Sequence, residues 1–394
     1  MAKIVRSQTA SLFPILPTRP VGLARLAAEA THTDDGYLIE FKAIKARSLL
    51  NHSVSRRMGR VAWSINPYRG CEFGCRYCYA RYTHQFLQPG PVPYVPIGSY
   101  DVPVQPWATA FEHEIYIKEN AAWLLEQELK KIERNWNKTI EQNWNKLPDP
   151  KREIVISSAT DPYQPVERRV GITRSILEVL AKRVGYRVGI ITKSTLIERD
   201  LDLLKKIAEG NTLVVHFTIT TADSALARKL EPRAPRPDLR FAAVKKLREA
   251  GITTGVLCSP LLPGINDTTG ALDAVASRAS AAGASFMGAH PLFLKSCSRP
   301  TWMSFVREHF PHLADDYRKR FARADFVDAD YRETVSERVR AACRKHGLAR
   351  RSTDTLLANA LGSQVAGALG RKQPQPARTA GFAAPEPAQG LLFA

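Results

Sequence analysis

Three of the six cysteines in this chain crowd into one short run, as Cys71, Cys75 and Cys78 of NPYRGCEFGCRYCYARYTHQF. Thiolates are soft ligands that suit iron–sulfur clusters or zinc. A structural zinc site wants four protein ligands, and His84 lies close enough in sequence to complete a Cys3His set. A cluster held by three thiolates instead leaves one iron open to a cofactor or substrate. Gly70 and Gly74 would let the backbone turn tightly enough for the thiols to converge. Clustered thiols survive only in a reducing compartment, so a cytoplasmic protein is expected. Cys258, Cys297 and Cys343 are scattered, and Cys258 and Cys297 with His216 read as core residues.

The elements that must carry this loop are short β-branched runs, mostly separated by helical patterns. The runs are VAWSIN from residue 61, EIVISSA from 153, YRVGIIT from 186, TLVVHFTIT from 212, ITTGVLC from 252 and ASFMGA from 284. Their continuous apolar character is that of strands buried on both faces. Helices are expected over Glu112 to Glu133, Arg174 to Arg183, Leu196 to Glu209, Leu239 to Ala250 (closed by Gly251) and Thr268 to Ala282. The alternation predicts an α/β fold, a partial (β/α)6 TIM-like barrel open on one side. In such barrels the working residues sit at the carboxyl ends of the strands, and the cysteine run follows the first strand directly. Residues 1–58 read as an irregular extension with one short helix near Val21 to Ala30, and 59–300 as the barrel core. Thr83 to Phe111 reads as a long loop, 301–362 as a helical C-terminal region and 363–394 as a disordered tail.

The cysteine spacing C-x3-C-x2-C, Tyr77 just before the third cysteine and the six-stranded pattern together resemble the radical S-adenosylmethionine (radical SAM) superfamily. The resemblance implies a 4Fe-4S cluster on Cys71, Cys75 and Cys78. S-adenosylmethionine would chelate the open iron and be cleaved reductively to a 5′-deoxyadenosyl radical that abstracts hydrogen. Within the superfamily, residues 63–291 are similar to the spore photoproduct lyase-like group. That likeness maps cofactor-contacting roles onto Thr160 and Asp161 in SSATDPYQPVE, Lys193 at the end of IITK, Thr218 in FTIT and Ser259 in CSPLLPG. Lys193 would face the cofactor carboxylate. Tyr77 and Tyr79 flank Cys78 as tyrosines do in that group, where they could relay a hydrogen atom or pack on the cluster. Glu231 and Arg233 read as a structural pair beneath the site. Where the lyase has a hydrogen-donating cysteine, this chain has Ser158, and an O–H bond is a poorer donor of a hydrogen atom. This argues against spore photoproduct repair itself.

The charge balance bears on partners. Lys plus Arg number 57 against 38 Asp plus Glu, a net +19 spread along the chain, which attracts polyanions and favours a nucleic acid or nucleotide substrate. The same radical chemistry on a peptide, protein or small metabolite is the alternative. A non-catalytic zinc protein that binds nucleic acid is a further one. The resemblance also implies a flavodoxin or ferredoxin-type electron donor. No apolar run approaches the ~18 residues of a membrane span, and no apolar leader segment is evident at the start. The C-terminal QGLLFA resembles the peptides with which bacterial repair and replication proteins dock on the sliding clamp, through Gln389, Leu392 and Phe393.

Overall fold

A computed structural model of the chain describes residues 22, 25, 31–34, 39–55, 60–88, 104–140 and 153–350. Eleven strands are present among them: β1 (Thr31–Asp34), β2 (Glu40–Ile44), β3 (Leu50–Ser55), β4 (Arg60–Ile65), β5 (Tyr68–Arg69), β6 (Glu114–Lys118), β7 (Glu153–Ile156), β8 (Arg187–Thr192), β9 (Thr212–Thr218), β10 (Thr253–Leu257) and β11 (Met287–Gly288). Seven form one sheet in the order β11-β10-β9-β8-β7-β4-β3. From β4 to β11 all neighbours are parallel, and β3 is added antiparallel to β4. The six parallel strands are those expected, and the sheet does not close on itself. It is the open, partial α/β barrel expected from the alternation of strands and helices.

Alternate residues of each strand explain the layers. Ile156, Ile190, Val215, Phe217 and Val256 share one core with Leu177, Leu204, Ile207, Val244, Leu247, Leu272 and Val275 of the connecting helices. Those helices are Ile172–Leu180, Leu201–Gly210, Pro237–Glu249 and Thr269–Ala281. Side chains alternate across a strand, so the intervening positions Gly189, Ile191, His216 and Gly255 line the inner face. The region after residue 300 is helical, over Arg299–His309, Ala314–Arg320 and Ala329–Lys345. Trp302, Met303, Phe305, Val306, Tyr317 and Phe321 from these helices share a second core with Cys71, Phe73, Cys75 and Tyr77.

Two expectations are corrected. The N-terminal extension is not irregular throughout, because β1, β2 and β3 lie within it. Helical backbone is described at Gly22 and Arg25, inside the short helix expected there. The helix expected over Glu112 to Glu133 is divided. Glu114–Lys118 is β6, and the helix runs from Ala121 to Ile140. The EIYIK run has a β-branched and aromatic centre whose buried Ile115 and Ile117 alternate with Tyr116, a pattern that suits a strand between two partners. Those partners are β2, parallel, and β5, antiparallel, in a small sheet of order β1-β2-β6-β5. Asn120 marks the change of element, exchanging hydrogen bonds with the Ala46 amide and carbonyl at 2.9 Å each. The expected loop at 83–111 contains a 3-10 helix reaching Leu87 and a short helix, Pro106–Ala110, while 89–103 and the tail from 351 lie outside the described residues.

Candidate active site

The cysteine loop leaves β5 at Gly70, and its backbone is placed by hydrogen bonds to distant elements. The Cys71 amide donates to the Phe111 carbonyl at 2.9 Å and the Arg76 amide to the Leu230 carbonyl at 2.9 Å. Gly70 and Gly74 have φ of +81° and +60°. A Cβ on Gly70 would stand 2.5 Å from the Glu114 carbonyl, and one on Gly74 2.2 Å from a carboxylate oxygen of Glu112. The loop therefore needs glycine at both positions for conformation and for space.

An ionic cluster braces the loop, with Arg81 and Glu112 buried and Arg233 reaching them from an exposed position. Glu112 accepts from Arg81 at 3.2 Å and from Arg233 at 2.9 Å, and Arg81 also donates to the Cys75 carbonyl at 3.3 Å. Arg233 donates to the Glu72 carbonyl as well. The expected Glu231–Arg233 pair is thus not formed. Glu231 pairs with Arg240 at 2.5 Å, and its other oxygen accepts from Tyr77 and, at 2.7 Å, from Thr220. The two acids serve opposite walls: Glu112 lies under the loop, while Glu231 joins the loop's Tyr77 to the strand ends.

All six cysteines are free. Cys71 and Cys75 are buried and Cys78 is partly exposed. Burial, followed by the charges of Asp161, Cys75 and Cys78, pushes the Cys71 thiol well above its usual range. Burial pushes Cys75 up to about 12 and also raises Cys78. Thiols held this way need the positive charge of iron to ionise, and a metal inverts such local pKa logic. They sense one another, yet among the described residues no three His, Cys, Asp or Glu gather closely enough for a single metal ion. Three thiolates suit a cubane, where they spread over three irons and leave the fourth open, whereas a structural tetrahedral zinc wants a fourth protein ligand. His84, the fourth zinc ligand considered from sequence, is engaged elsewhere. Its Nε2 lies 3.0 Å from the Glu114 carbonyl, and its ring packs edge-on against Phe111 and Tyr116.

The carboxyl ends of the parallel strands bring the other expected residues to the same mouth. After β7, Ser157 takes a left-handed turn at φ +79°. Asn66 Oδ1 accepts from the Ser158 and Ala159 amides at 2.9 and 2.8 Å, and its Nδ2 donates to Ser158 Oγ at 2.9 Å. Tyr79 donates its hydroxyl proton to the Ser158 carbonyl. The Thr160 hydroxyl donates to the Gly70 carbonyl at 2.5 Å, tying the β7 end to the cysteine loop. Asp161, buried, accepts from Thr192 Oγ1 and from the Lys193 amide, both at 2.7 Å. Burial raises its pKa against those stabilising contacts. Asp161 therefore fixes the β8 end that carries Lys193.

Lys193 and Thr218 stand apart. Among the described residues the Lys193 ammonium has no hydrogen bond or ion pair; it lies 5.9 Å from the Tyr77 ring centroid. Burial works to lower its pKa, but Cys75, Glu231 and Asp161 outweigh burial and hold the ammonium above its usual value. Thr218, at the end of β9, uses its carbonyl to accept from Arg240 at 3.0 Å, and its hydroxyl has no partner among the described residues. Ser259 Oγ accepts from the His290 amide at 2.9 Å, beyond β10. Cys258 and Cys343 lie in the core between sheet and helices, and Cys297 packs against Trp107 and Ala108, as core residues should.

Sequence reasoning missed Asn66, Glu112, Thr220 and Arg240. Asn66 had a local signal, because it ends the first barrel strand at the head of NPYRG. Glu112 lay in a stretch read as helix, and Arg240 was one basic residue among many.

Three free thiols thus lie on a glycine-shaped loop at the mouth of an open parallel barrel, with the Lys193 ammonium over the Tyr77 ring beside them. A family model for the radical SAM superfamily matches residues 65–272, and the chain belongs to that superfamily. It is a radical SAM enzyme, and the superfamily's cofactors are a 4Fe-4S cluster and S-adenosylmethionine. An uncharacterized protein of Mycobacterium tuberculosis is 30% identical over 312 residues, covering 79% of this chain and 82% of its own length. An uncharacterized protein of Methanocaldococcus jannaschii is 31% identical over 229 residues, 58% of this chain and 70% of its own length. Spore photoproduct lyase complexed with dinucleoside spore photoproduct is similar in fold, with a TM-score of 0.53 at 15% identity over 78% of this chain and 79% of that one. Among the described residues no helix is long and apolar enough to cross a membrane.

Proposed function

We propose that this enzyme abstracts a hydrogen atom from a nucleic acid or nucleotide substrate held at the barrel mouth. The observation that carries the reading is the Lys193 ammonium, unpartnered and facing the loop of Cys71, Cys75 and Cys78. Those three thiolates would hold the 4Fe-4S cluster, and Lys193 would receive the carboxylate of S-adenosylmethionine by a charge-assisted hydrogen bond. When bound, the pair supplies a 5′-deoxyadenosyl radical. Thr218 offers a free hydroxyl to the same cofactor, while Asp161 and Thr160 act by fixing the strand ends. Tyr77 is held by Glu231 and Thr220, which favours packing and positioning over hydrogen relay.

Ser158 occupies the place of a terminal hydrogen donor, with Asn66 bonded to its Oγ. An O–H group is a poor hydrogen-atom donor, so the substrate radical must be quenched by another group. A nucleic acid is favoured by the net charge of +19 and by the similar fold of a lyase solved with a dinucleoside photoproduct. The electron donor is expected to be a flavodoxin or ferredoxin. Docking on a sliding clamp through Gln389, Leu392 and Phe393 falls outside the described residues and rests on sequence alone.

The test is anaerobic reconstitution with iron and sulfide, followed by reduction in the presence of S-adenosylmethionine and deuterated oligonucleotides. Deuterium in 5′-deoxyadenosine supports the reading. Label appearing only from peptides or small metabolites would replace the substrate class while leaving the cofactor chemistry in place.

A further inference from the structure

An aromatic ribbon runs from the mouth to the protein surface. Phe293, in the segment that follows β11, has its ring centroid 5.9 Å from that of Tyr79 and stacks on Phe326 at 4.5 Å with an 18° interplanar angle. Lys295 lies 5.7 Å from the Phe293 centroid and 4.7 Å from that of Tyr82, which in turn meets Phe86 edge-on at 6.3 Å. The inner end is at the chemistry, because Tyr79 bonds the Ser158 carbonyl and Ser298 donates to the Cys78 carbonyl at 2.7 Å. The outer ends are open to water, with Phe326 42% and Phe86 56% exposed.

A single exposed phenylalanine is ordinary. Here two large exposed rings terminate two sets of ring contacts, which the Lys295 ammonium joins by lying over both Phe293 and Tyr82. The Lys295 ammonium has no hydrogen bond or ion pair among the described residues; the residue's carbonyl accepts from the Ser298 and Arg299 amides. Asp325, the acid that senses Lys295, is already paired with Arg299 at 2.8 Å. The chemistry on offer is therefore ring faces and a positive charge.

We propose that this ribbon is a stacking platform for the bases of single-stranded or locally unpaired nucleic acid, with Lys295 taking a backbone phosphate. Every base presents a π face that stacks on an aromatic side chain, and the cation serves the phosphate between bases. A closed duplex keeps its base faces covered, so the platform selects strands whose bases are already free. Charge complementarity favours this occupant over an apolar peptide, which would have no use for Lys295 or for the net +19. The inference rests on the nucleic-acid reading above and adds the form of substrate and the surface that receives it.

The test is anaerobic fluorescence anisotropy on the full-length, cluster-reconstituted protein. The probes are a labelled oligothymidine of about twelve nucleotides, an abasic strand with the same number of phosphates, and the matching duplex. The single strand is expected to bind roughly ten-fold tighter than either comparator. Phe326→Ala and Phe86→Ala are each expected to weaken single-strand binding by about ten-fold and to leave abasic binding unchanged. Phe326→Trp is expected to keep affinity and to show indole quenching on binding. Trp123→Ala, at an exposed ring outside the ribbon, should change nothing, and equal iron content confirms that each variant is folded. Equal affinity for thymidine and abasic strands, an unaffected Phe326→Ala variant, or displacement of the strand by an uncharged apolar peptide overturns the platform and leaves the nucleic-acid reading standing. No binding to any of the three probes at low salt overturns both.

Discussion

The two walls of the barrel mouth are built on different principles. On the cysteine side most of the polar groups are engaged with one another, although Arg81 Nε and His84 Nδ1 are buried without a hydrogen-bond partner. Arg81 and Glu112 form a buried pair joined by the more exposed Arg233, Thr160 holds Gly70, and Glu72 Oε1 accepts from the Val166 amide at 2.6 Å. On the strand-end side Asp161 and Glu231 are just as deeply engaged, yet beside them stand a lysine and a threonine whose side chains have no hydrogen-bonding partner among the described residues. A side chain at a mouth with no hydrogen-bonding partner stays available to a ligand, whereas a satisfied group holds shape. On the proposed reading, the first wall would hold the cluster and the second would offer a binding edge to the cofactor.

That contrast can be broken by exchanging losses between the walls. The largest effect is expected from Cys75→Ala, which should bring cluster-bound iron and sulfide close to zero after reconstitution, while Cys258→Ala and Cys343→Ala retain both. Equal iron in Cys75→Ala would remove the thiols from the site. Next is Arg81→Met, which leaves the buried Glu112 carboxylate with one cation instead of two. Breaking a buried pair costs about 3–5 kcal/mol, and chemical denaturation should show a loss near that size.

Across the mouth, Lys193→Met should do the reverse. Stability should hold, while calorimetric affinity for S-adenosylmethionine falls by the worth of a charge-assisted hydrogen bond, about 1.5–3 kcal/mol or roughly ten- to a hundred-fold. A sharper version compares two threonines. Thr160→Val should cost about 1–3 kcal/mol of stability by leaving the Gly70 carbonyl short of its donor, whereas Thr218→Val should leave the denaturation midpoint in place and weaken cofactor binding. If both act on stability alone, the two walls do not differ.

The smallest expected effect lies on the inner face of the barrel. His216 sits beside Phe286, ring centroids 5.1 Å apart, and burial pushes its pKa down from 6.5 to about 4. The unfolded chain takes up the proton first. The stability from keeping the ring neutral is therefore full above pH 6.5 and is lost as pH falls toward 4. His216→Leu should flatten that slope in thermal melts between pH 6.5 and 5. A slope as steep as in the parent would place the acid sensitivity elsewhere, with the equally buried His84 the next residue to change.

The barrel was legible because its strands are apolar on both faces and its helices carry a matching stripe, local patterns that a linear reading detects. The cluster loop was legible for a related reason, since Cys71, Cys75 and Cys78 are neighbours in sequence and their spacing carries the chemistry. The strand-end residues Lys193, Thr218 and Asp161 were reached through their place after strands and a family likeness, without any indication of which would be engaged and which free. The small sheet was not legible. β2 and β6 are separated by about seventy residues, and EIYIK can be read in either period until its partners on both edges are known. The buried ion pairs were illegible for the same reason: Glu231 chose Arg240 over the nearer Arg233, and Arg233 reached back to Glu112. Sequence by itself therefore determined the class of fold, the run of three neighbouring cysteines and most of the residues gathered at the mouth. Tertiary structure alone decided which charges pair and which side chains stay open to a ligand, because pairing depends on distances between elements far apart in the chain.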